Sequence, residues 1–412
     1  MGLLAEWQQL DRRQRSACIA SFLGWTLDAF DFFLMVFVLG AVAKEFGTDV
    51  KTVAFAITLT LAMRPLGALA FGLLADRYGR RPVLMIDILL FSVLELASAF
   101  APSLVVLLVL RAAFGFAMGG EWGIGASLVM ESIPARTRGL ASGILQEGYA
   151  FGYLLAAVVY GLLFNTIGWR GMFAVGIVPA LLVLYIRQGV EESPAWERMR
   201  GKPRPSFLAS IRGHWKLFAY VVVLMTAFNF FSHGTQDLYP TFLQAQHHFS
   251  TGTVSLITIV ANIGAITGGV FFGTLSQRIG RRTAIVIAAL FGLLMIPLWS
   301  LASGAVVLGL GAFLMQVAVQ GAWGVIPAHL NELSPDEVRG TFPGFAYQLG
   351  NFLASANATI QAWIADKRGG NYGFALAVVA ALVAVVIAFL TAAGPEARGV
   401  TFGGTGDDIA GE

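Results

Sequence analysis

The chain alternates long apolar runs with short polar breaks, and the length of the runs sets the first prediction. A helix needs about 20 apolar residues to cross the hydrocarbon of a bilayer. Twelve runs reach that length, near residues 17–41, 52–75, 83–100, 103–127, 139–164 and 170–187, then 216–243, 253–275, 283–300, 304–328, 340–363 and 370–393. Backbone in lipid must satisfy its own hydrogen bonds, so each run is predicted to be a helix and the protein to be all-α. The one long break, 188–215, is rich in charge and proline and reads as a linker. It separates an N-terminal half, 1–187, from a C-terminal half, 216–393, and a tail, 394–412, follows. That tail, 394–412, with its Gly403–Asp408 stretch, reads as disordered.

Composition agrees with the pattern. Of 412 residues, 57% are hydrophobic and only 12% charged, where a soluble protein carries about a quarter charged. The single cysteine, Cys18, excludes a disulfide framework. Residues 1–15 are polar and amphipathic with no cleavage site before the first run, so no removable signal peptide is expected. Of 27 Lys and Arg, 20 fall at the N-terminus, in the even-numbered breaks and the linker, and at the C-terminus. Five lie in the alternate breaks, and Arg64 and Arg111 lie within runs. Positive charge stays on the cytoplasmic side, which predicts both termini and the linker there.

Polar groups inside the runs carry the chemistry, because each costs a few kcal/mol (roughly 3) in hydrocarbon unless it faces protein or a wet cavity. The densest set is Asn229-Phe230-Phe231-Ser232-His233-Gly234-Thr235-Gln236-Asp237-Leu238-Tyr239-Pro240-Thr241. On a helix, Asn229, His233, Gln236 and Asp237 fall on a single face, the pattern of a lined pathway; its bland alternative is hydrogen bonding between neighbouring helices. Span one carries Asp28 and Asp31, span two Arg64, span three Asp87 and Glu95. Span four carries Arg111 and Glu121, span five Glu147, and span eleven Gln348 and Asn351. The acids outnumber the two arginines, and not all can be ionised in a low-dielectric interior, so some bind protons near neutrality. For Asp87 and Glu95 a structural pairing is the favoured reading, and Glu121 is balanced between structure and coupling. Pro65 and Gly67 after Arg64 suggest room for a ligand, whereas the small residues after Arg111 suggest tight helix packing.

An internal repeat sets the architecture. Gly72-Leu73-Leu74-Ala75-Asp76-Arg77-Tyr78-Gly79-Arg80-Arg81 recurs as Gly273-Thr274-Leu275-Ser276-Gln277-Arg278-Ile279-Gly280-Arg281-Arg282, an offset of 201. The same offset carries Trp122 onto Trp323, Glu131 onto Glu332, Arg138 onto Arg339, Glu147 onto Gln348 and Asp28 onto Asn229. Two parallel six-helix repeats place a site near mid-membrane between them. Gln277 replaces Asp76 in the second copy, so an ionic latch is expected only in the first.

These loops and the six-plus-six repeat resemble the major facilitator superfamily across the whole chain. The resemblance implies the major facilitator fold, twelve transmembrane helices in two six-helix pseudo-repeats. Gating or conformational roles are expected for Asp76, Arg77, Arg80, Arg81, Arg111, Glu121, Glu147, Arg281 and Arg282. The stretch Asn229-x-x-Ser232-His233-x-Thr235-Gln236-Asp237-x-x-x-Thr241 is similar to the signature of the lactate/pyruvate–proton symporters, within the sialate–proton symporter branch. That likeness implies a proton symporter of short monocarboxylates, with His233 and Asp237 in binding and coupling. It also implies substrate contacts from Arg64, Asn229, Gln348 and Asn351. Either Asp237 with His233 or Asp28 with Asp31 would carry the proton. A larger acid such as sialate or an aromatic acid is the nearer rival, and a carboxylate sensor the more distant one. No metal-ligand spacing, nucleophile elbow or phosphate loop occurs, which argues against an enzyme. The expected partners are a small monocarboxylate, the proton as coupling ion with no other cofactor, and the lipid of a plasma membrane of the bacterial inner-membrane type. No nucleic acid is expected, and the chain is read as a working monomer.

Overall fold

The computed structural model describes residues 7–202 and 206–403, and all regular elements among them are helices. Ten of these are long and apolar enough to cross a membrane by length and composition. Spans one to four follow Arg12–Glu45, Val50–Tyr78, Arg80–Ala99 and Leu104–Ser132. Span five runs from Arg138 through the helix Gly148–Val175, which breaks at Gly168 (φ 63°) to begin span six, completed by Ala180–Gly189. In the second half, spans seven to ten follow Trp215–Ala245, Thr251–Ile279, Arg281–Leu301 and Ala305–Leu333. Span eleven is interrupted, Phe342–Ala354 then Asn357–Lys367, and span twelve is Tyr372–Ala393. Spans six and eleven are broken, which is why length and hydropathy alone find ten helices.

Local chemistry fixes where the helices start and turn. Asp11 caps span one through the backbone N–H of Gln14, whose side chain answers by accepting from Asp11 N–H. Asp49, Ser103 and Ser250 cap spans two, four and eight in the same N-cap position. The reversals between spans two and three and between eight and nine each turn on one residue, Gly79 (φ 112°) and Gly280 (φ 98°). Those dihedrals are closed to residues with a Cβ. Gly67 does not open space for a ligand as its neighbourhood suggested. A Cβ there would collide with the Phe116 carbonyl of span four, and Gly268 meets the Val317 carbonyl in the same way, 201 residues on. These glycines let helix backbones pack closely.

The halves meet near the face that carries both described chain ends. Span two packs on span eleven and span five on span eight; Gly123 abuts Gly344, and Gly139 abuts Gly273. Leu10, Ala195 of the linker, Met130, Ala328 and Phe402 form one buried cluster there. The expected disorder of the tail is corrected for 394–403. Phe402 is 2% exposed, its ring lying 3.6 Å from the Arg138 guanidinium carbon and 3.9 Å from that of Arg339. Two arginines from opposite halves supply the binding surface that composition could not reveal. Residues 404–412 of the tail and 203–205 of the linker lie outside the described residues.

Candidate functional site

Around span seven the second half presents a connected polar cluster. His233 Nδ1 lies 3.2 Å from Asp237 Oδ2, and Nε2 lies 3.1 Å from Asn351 Oδ1. Asn351 Nδ2 points to Gln348 Oε1 at 3.5 Å. Both ring nitrogens thus meet an oxygen, an arrangement in which the protonated ring can donate from both. The His233 and Asp237 side chains keep 32% and 41% of their surface exposed, so the cluster opens into accessible space. Gln348 Nε2 is buried without a partner among the described residues. Asn229 is tied to its own helix, donating to Met225 O at 2.8 Å. Gln236 leaves the polar face and bonds Gln316 of span ten at 2.9 Å, a helix-to-helix contact.

The first half answers with buried charge. Arg64 Nη2 is 3.7 Å from Asp28 Oδ2 and 3.2 Å from Met118 Sδ, with its guanidinium 5.3 Å from the Phe32 ring. Arg111 pairs elsewhere, with Glu95 at 2.6 Å and Ser98 Oγ at 2.6 Å. Asp31, Asp87 and Glu121 are fully buried with no hydrogen-bond partner among the described residues. Asp31 approaches Glu95 around Gly176, Glu121 touches Gly24 of span one, and Asp87 lies beside Gly120. Tyr149 of span five and Tyr347 of span eleven stand within electrostatic reach of both Arg64 and Asp28.

Nearer the terminal face a two-fold set of ion pairs joins the halves. Asp76 accepts from Gly340 N–H at 2.8 Å and Thr341 Oγ1 at 2.5 Å across the interface, and pairs with Arg80 at 3.1 Å. Gln277, at the equivalent position, accepts from Gly139 N–H at 3.1 Å. Arg80 holds Glu131 at 2.9 Å and Arg281 holds Glu332 at 2.9 Å. Each glutamate also faces an arginine of the other half, Glu131 with Arg339 at 3.9 Å and Glu332 with Arg138 at 3.6 Å. Arg81 donates to Arg187 O, and Arg282 to Thr391 O and Ala392 O, so both close helix ends. Arg77 is exposed beside the Tyr78 ring. Glu147 is buried in the interface against Gly269 of span eight.

A chain of two six-helix repeats, with a polar cluster within its spans and mirrored ion pairs, matches one family model twice, over residues 21–356 and 222–407. The chain belongs to the Major Facilitator Superfamily. It is therefore a multi-pass membrane transporter rather than an enzyme, and the fold implies twelve spans. It is 31% identical over 397 residues to a carboxylic acid transporter protein homolog of Saccharomyces cerevisiae. That match covers 90% of this chain but only 64% of the yeast protein. It is 29% identical to the sialic acid transporter NanX of Escherichia coli, covering 93% of this chain and 96% of that one. Among solved structures the proton:xylose symporter XylE, bound to a bromodeoxyglucose, superposes with a TM-score of 0.79 at 21% identity, covering 95% of this chain and 98% of that one.

Within this major facilitator chain, sequence reasoning missed several members of the site. Tyr149 and Tyr347 carried no signal beyond ordinary aromatic spacing. Trp122, which donates to Gln146 at 3.1 Å and packs 4.7 Å from Tyr347, was visible only through its repeat as Trp323. Glu131, Glu332, Arg138 and Arg339 were carried by the offset of 201, which was itself the available sign that they share a job.

Proposed function

We propose that the chain is a proton-coupled symporter of short monocarboxylates of the lactate, pyruvate and acetate type, working by alternating access. It would sit in a plasma membrane with both termini cytoplasmic, acting as a monomer. The observation that supports this most is the loose Arg64–Asp28 pair, 3.7 Å apart with no hydrogen bond between its members, in a region with excess carboxyls. Five buried carboxyls (Asp28, Asp31, Asp87, Glu95, Glu121) share two guanidiniums. An uncompensated buried charge costs several kcal/mol (roughly 3–5), so carboxyls in this cluster hold protons.

A substrate carboxylate can take both guanidinium edges of Arg64, a geometry Asp28 does not reach. Asp28 then loses its counter-charge and takes up a proton, so anion and proton bind together. Asn351, Gln348 and Asn229 would meet the oxygen on C2, and His233 with Asp237 would form a second proton-holding pair. The net load is neutral. This removes the cost of about 2.3 kcal/mol per 100 mV for moving an anion inward, and each unit of inward pH gradient adds about 1.4 kcal/mol. The likeness to a carboxylic acid transporter homolog supports the cargo class, and the likeness to a sialic acid transporter over 93% of the chain favours the larger-acid reading.

The test is purified protein in liposomes with labelled lactate. Accumulation should rise as external pH falls from about 7 to 5 and collapse with a protonophore, since the inward proton gradient drives it. Uptake that follows sodium and ignores pH overturns the coupling. Excess sialate competing while unlabelled lactate does not would move the cargo to the larger acids.

A further inference from the structure

Span seven breaks inside its polar cluster. Its first helix ends with the Asp237 N–H on His233 O at 3.0 Å. The chain turns at 237–238, and a second helix starts at Tyr239. Pro240 has no N–H to offer Gln236 O, so the last carbonyls of the first helix lose their intrahelical partners. Within a membrane such carbonyls need donors from elsewhere in the protein. Gly234 O receives one, because the fully buried Gln361 donates Nε2 to it at 2.7 Å. Asn357 Nδ2 reaches Gln361 Oε1 at 3.4 Å and holds the other end of the amide. Both segments of the interrupted span eleven therefore hold this stretch. Asn351, before the interruption, meets the His233 ring, and Gln361, after it, takes the carbonyl of the next residue.

The fold itself does not require this tie. At the offset of 201, Phe33 and Tyr160 stand where Gly234 and Gln361 stand, and span one runs unbroken over Arg12–Glu45. The equivalents of His233 and Asp237 are Phe32 and Val36. The half without the tie is thus also the half without the pair. Side chains at i and i+4 meet only while the turn between them stays helical. Here that turn is the last one before the break, and the charged groups within reach of the His233 ring are Asp237 itself and Arg64.

We infer that Gln361 is a positioning residue for the transport site: its amide secures the last turn before the break and thereby keeps the Asp237 carboxylate on the His233 ring. It acts through the Gly234 carbonyl. This rests on the reading that His233 and Asp237 serve proton-coupled transport.

The test follows the His233 ring by NMR across pH, in the full chain labelled at histidine and held in lipid nanodiscs. Its signal is identified by its loss in His233→Asn, and Asp237→Asn gives the midpoint of a ring without its carboxylate. Gln361→Met keeps the length of the side chain but not the donor, and should move the His233 midpoint at least about half of the way to that of Asp237→Asn. Gln361→Asn, whose amide is one methylene too short for Gly234 O, should do the same and serves if Gln361→Met fails to insert. Gln246→Met removes another amide contact of this span, to Gly373 N–H beyond the break, and should leave the midpoint at its wild-type value. In liposomes, gradient-driven accumulation of lactate should fall about tenfold in Gln361→Met, the effect of one buried hydrogen bond lost. The pH of half-maximal uptake should move with the His233 midpoint. A wild-type midpoint in both Gln361 variants overturns the inference, as does a midpoint that Asp237→Asn itself leaves unchanged; proton-driven lactate uptake by the wild-type chain would still uphold the proposed function. If the midpoint moves as expected while the wild-type chain carries no lactate, the positioning role holds and the proposed function falls.

Discussion

Asp76→Asn should loosen the contact between the halves by an amount the structure lets one work out. The carboxylate is 7% exposed and accepts two hydrogen bonds from the other half, from Gly340 N–H and from the Thr341 hydroxyl. The amide keeps the size but removes the charge. A hydrogen bond to a charged group is worth about 1.5–3 kcal/mol against about 0.5–1.5 for a neutral one. Two bonds then lose about 2–3 kcal/mol, and only while the halves touch. Arg80 stays paired with Glu131, so no orphaned guanidinium adds to the cost. At about 1.4 kcal/mol per tenfold, the equilibrium moves roughly 30- to 150-fold toward separation at the terminal face. Hydrogen exchange of a peptide spanning residues 338–345 reads this directly, because exchange of the Gly340 amide requires that separation. The rate should rise by roughly that factor. Gln277→Asn, which shortens a neutral acceptor of the Gly139 N–H, should move its own peptide less than about tenfold. An unchanged Gly340 rate in Asp76→Asn, or equal acceleration in both variants, refutes the asymmetric latch.

Three further outcomes are expected. Arg64→Lys keeps the charge but loses the planar fork, so lactate affinity should fall about 10- to 100-fold with some transport left, and Arg64→Ala should insert correctly but not bind; calorimetry that finds unchanged affinity in Arg64→Ala moves the anion site to Arg111. Asp28→Asn and Asp237→Asn should each be tested for gradient-driven accumulation against exchange of labelled for unlabelled lactate, and the variant that keeps exchange but loses accumulation marks the coupling carboxyl; accumulation preserved in both removes both from that role. Phe402→Leu removes a ring held between Arg138 and Arg339 and should weaken the terminal-face contact by about 1–3 kcal/mol, read as faster exchange in residues 395–402; no change there shows the tail packs without holding the halves.

The site was legible in its ingredients more than in its pairings. The signature in span seven singled out His233 and Asp237, and the structure brings them to 3.2 Å from one another and His233 to 3.1 Å from Asn351. Arg64 and Asp28 were named separately and stand face to face, whereas Arg111, ten residues from Glu121, found Glu95 of another helix. The packing of Tyr149 on Trp25 and Phe33 could not be seen at all, since an aromatic at helical spacing looks the same whether it faces a cavity, lipid or a neighbouring helix.

What the sequence alone determined follows from the solvent. A bilayer leaves helices as the form available to apolar runs of this length, and the fixed offset of 201 relates one half to the other. Residue type also decided that buried acids exceed buried arginines. What the tertiary structure decided depends on how each helix is rotated about its axis and how closely two backbones approach, which hydropathy does not encode. Gly67 became a packing contact because Phe116 of span four crosses over it. Asp76 became a bond between halves because the start of span eleven offers Gly340 and Thr341. Residues 394–403 became ordered because guanidiniums separated by 201 positions converge to within 3.9 Å of one phenylalanine ring, a coincidence in space that no local pattern in a glycine-rich tail can announce.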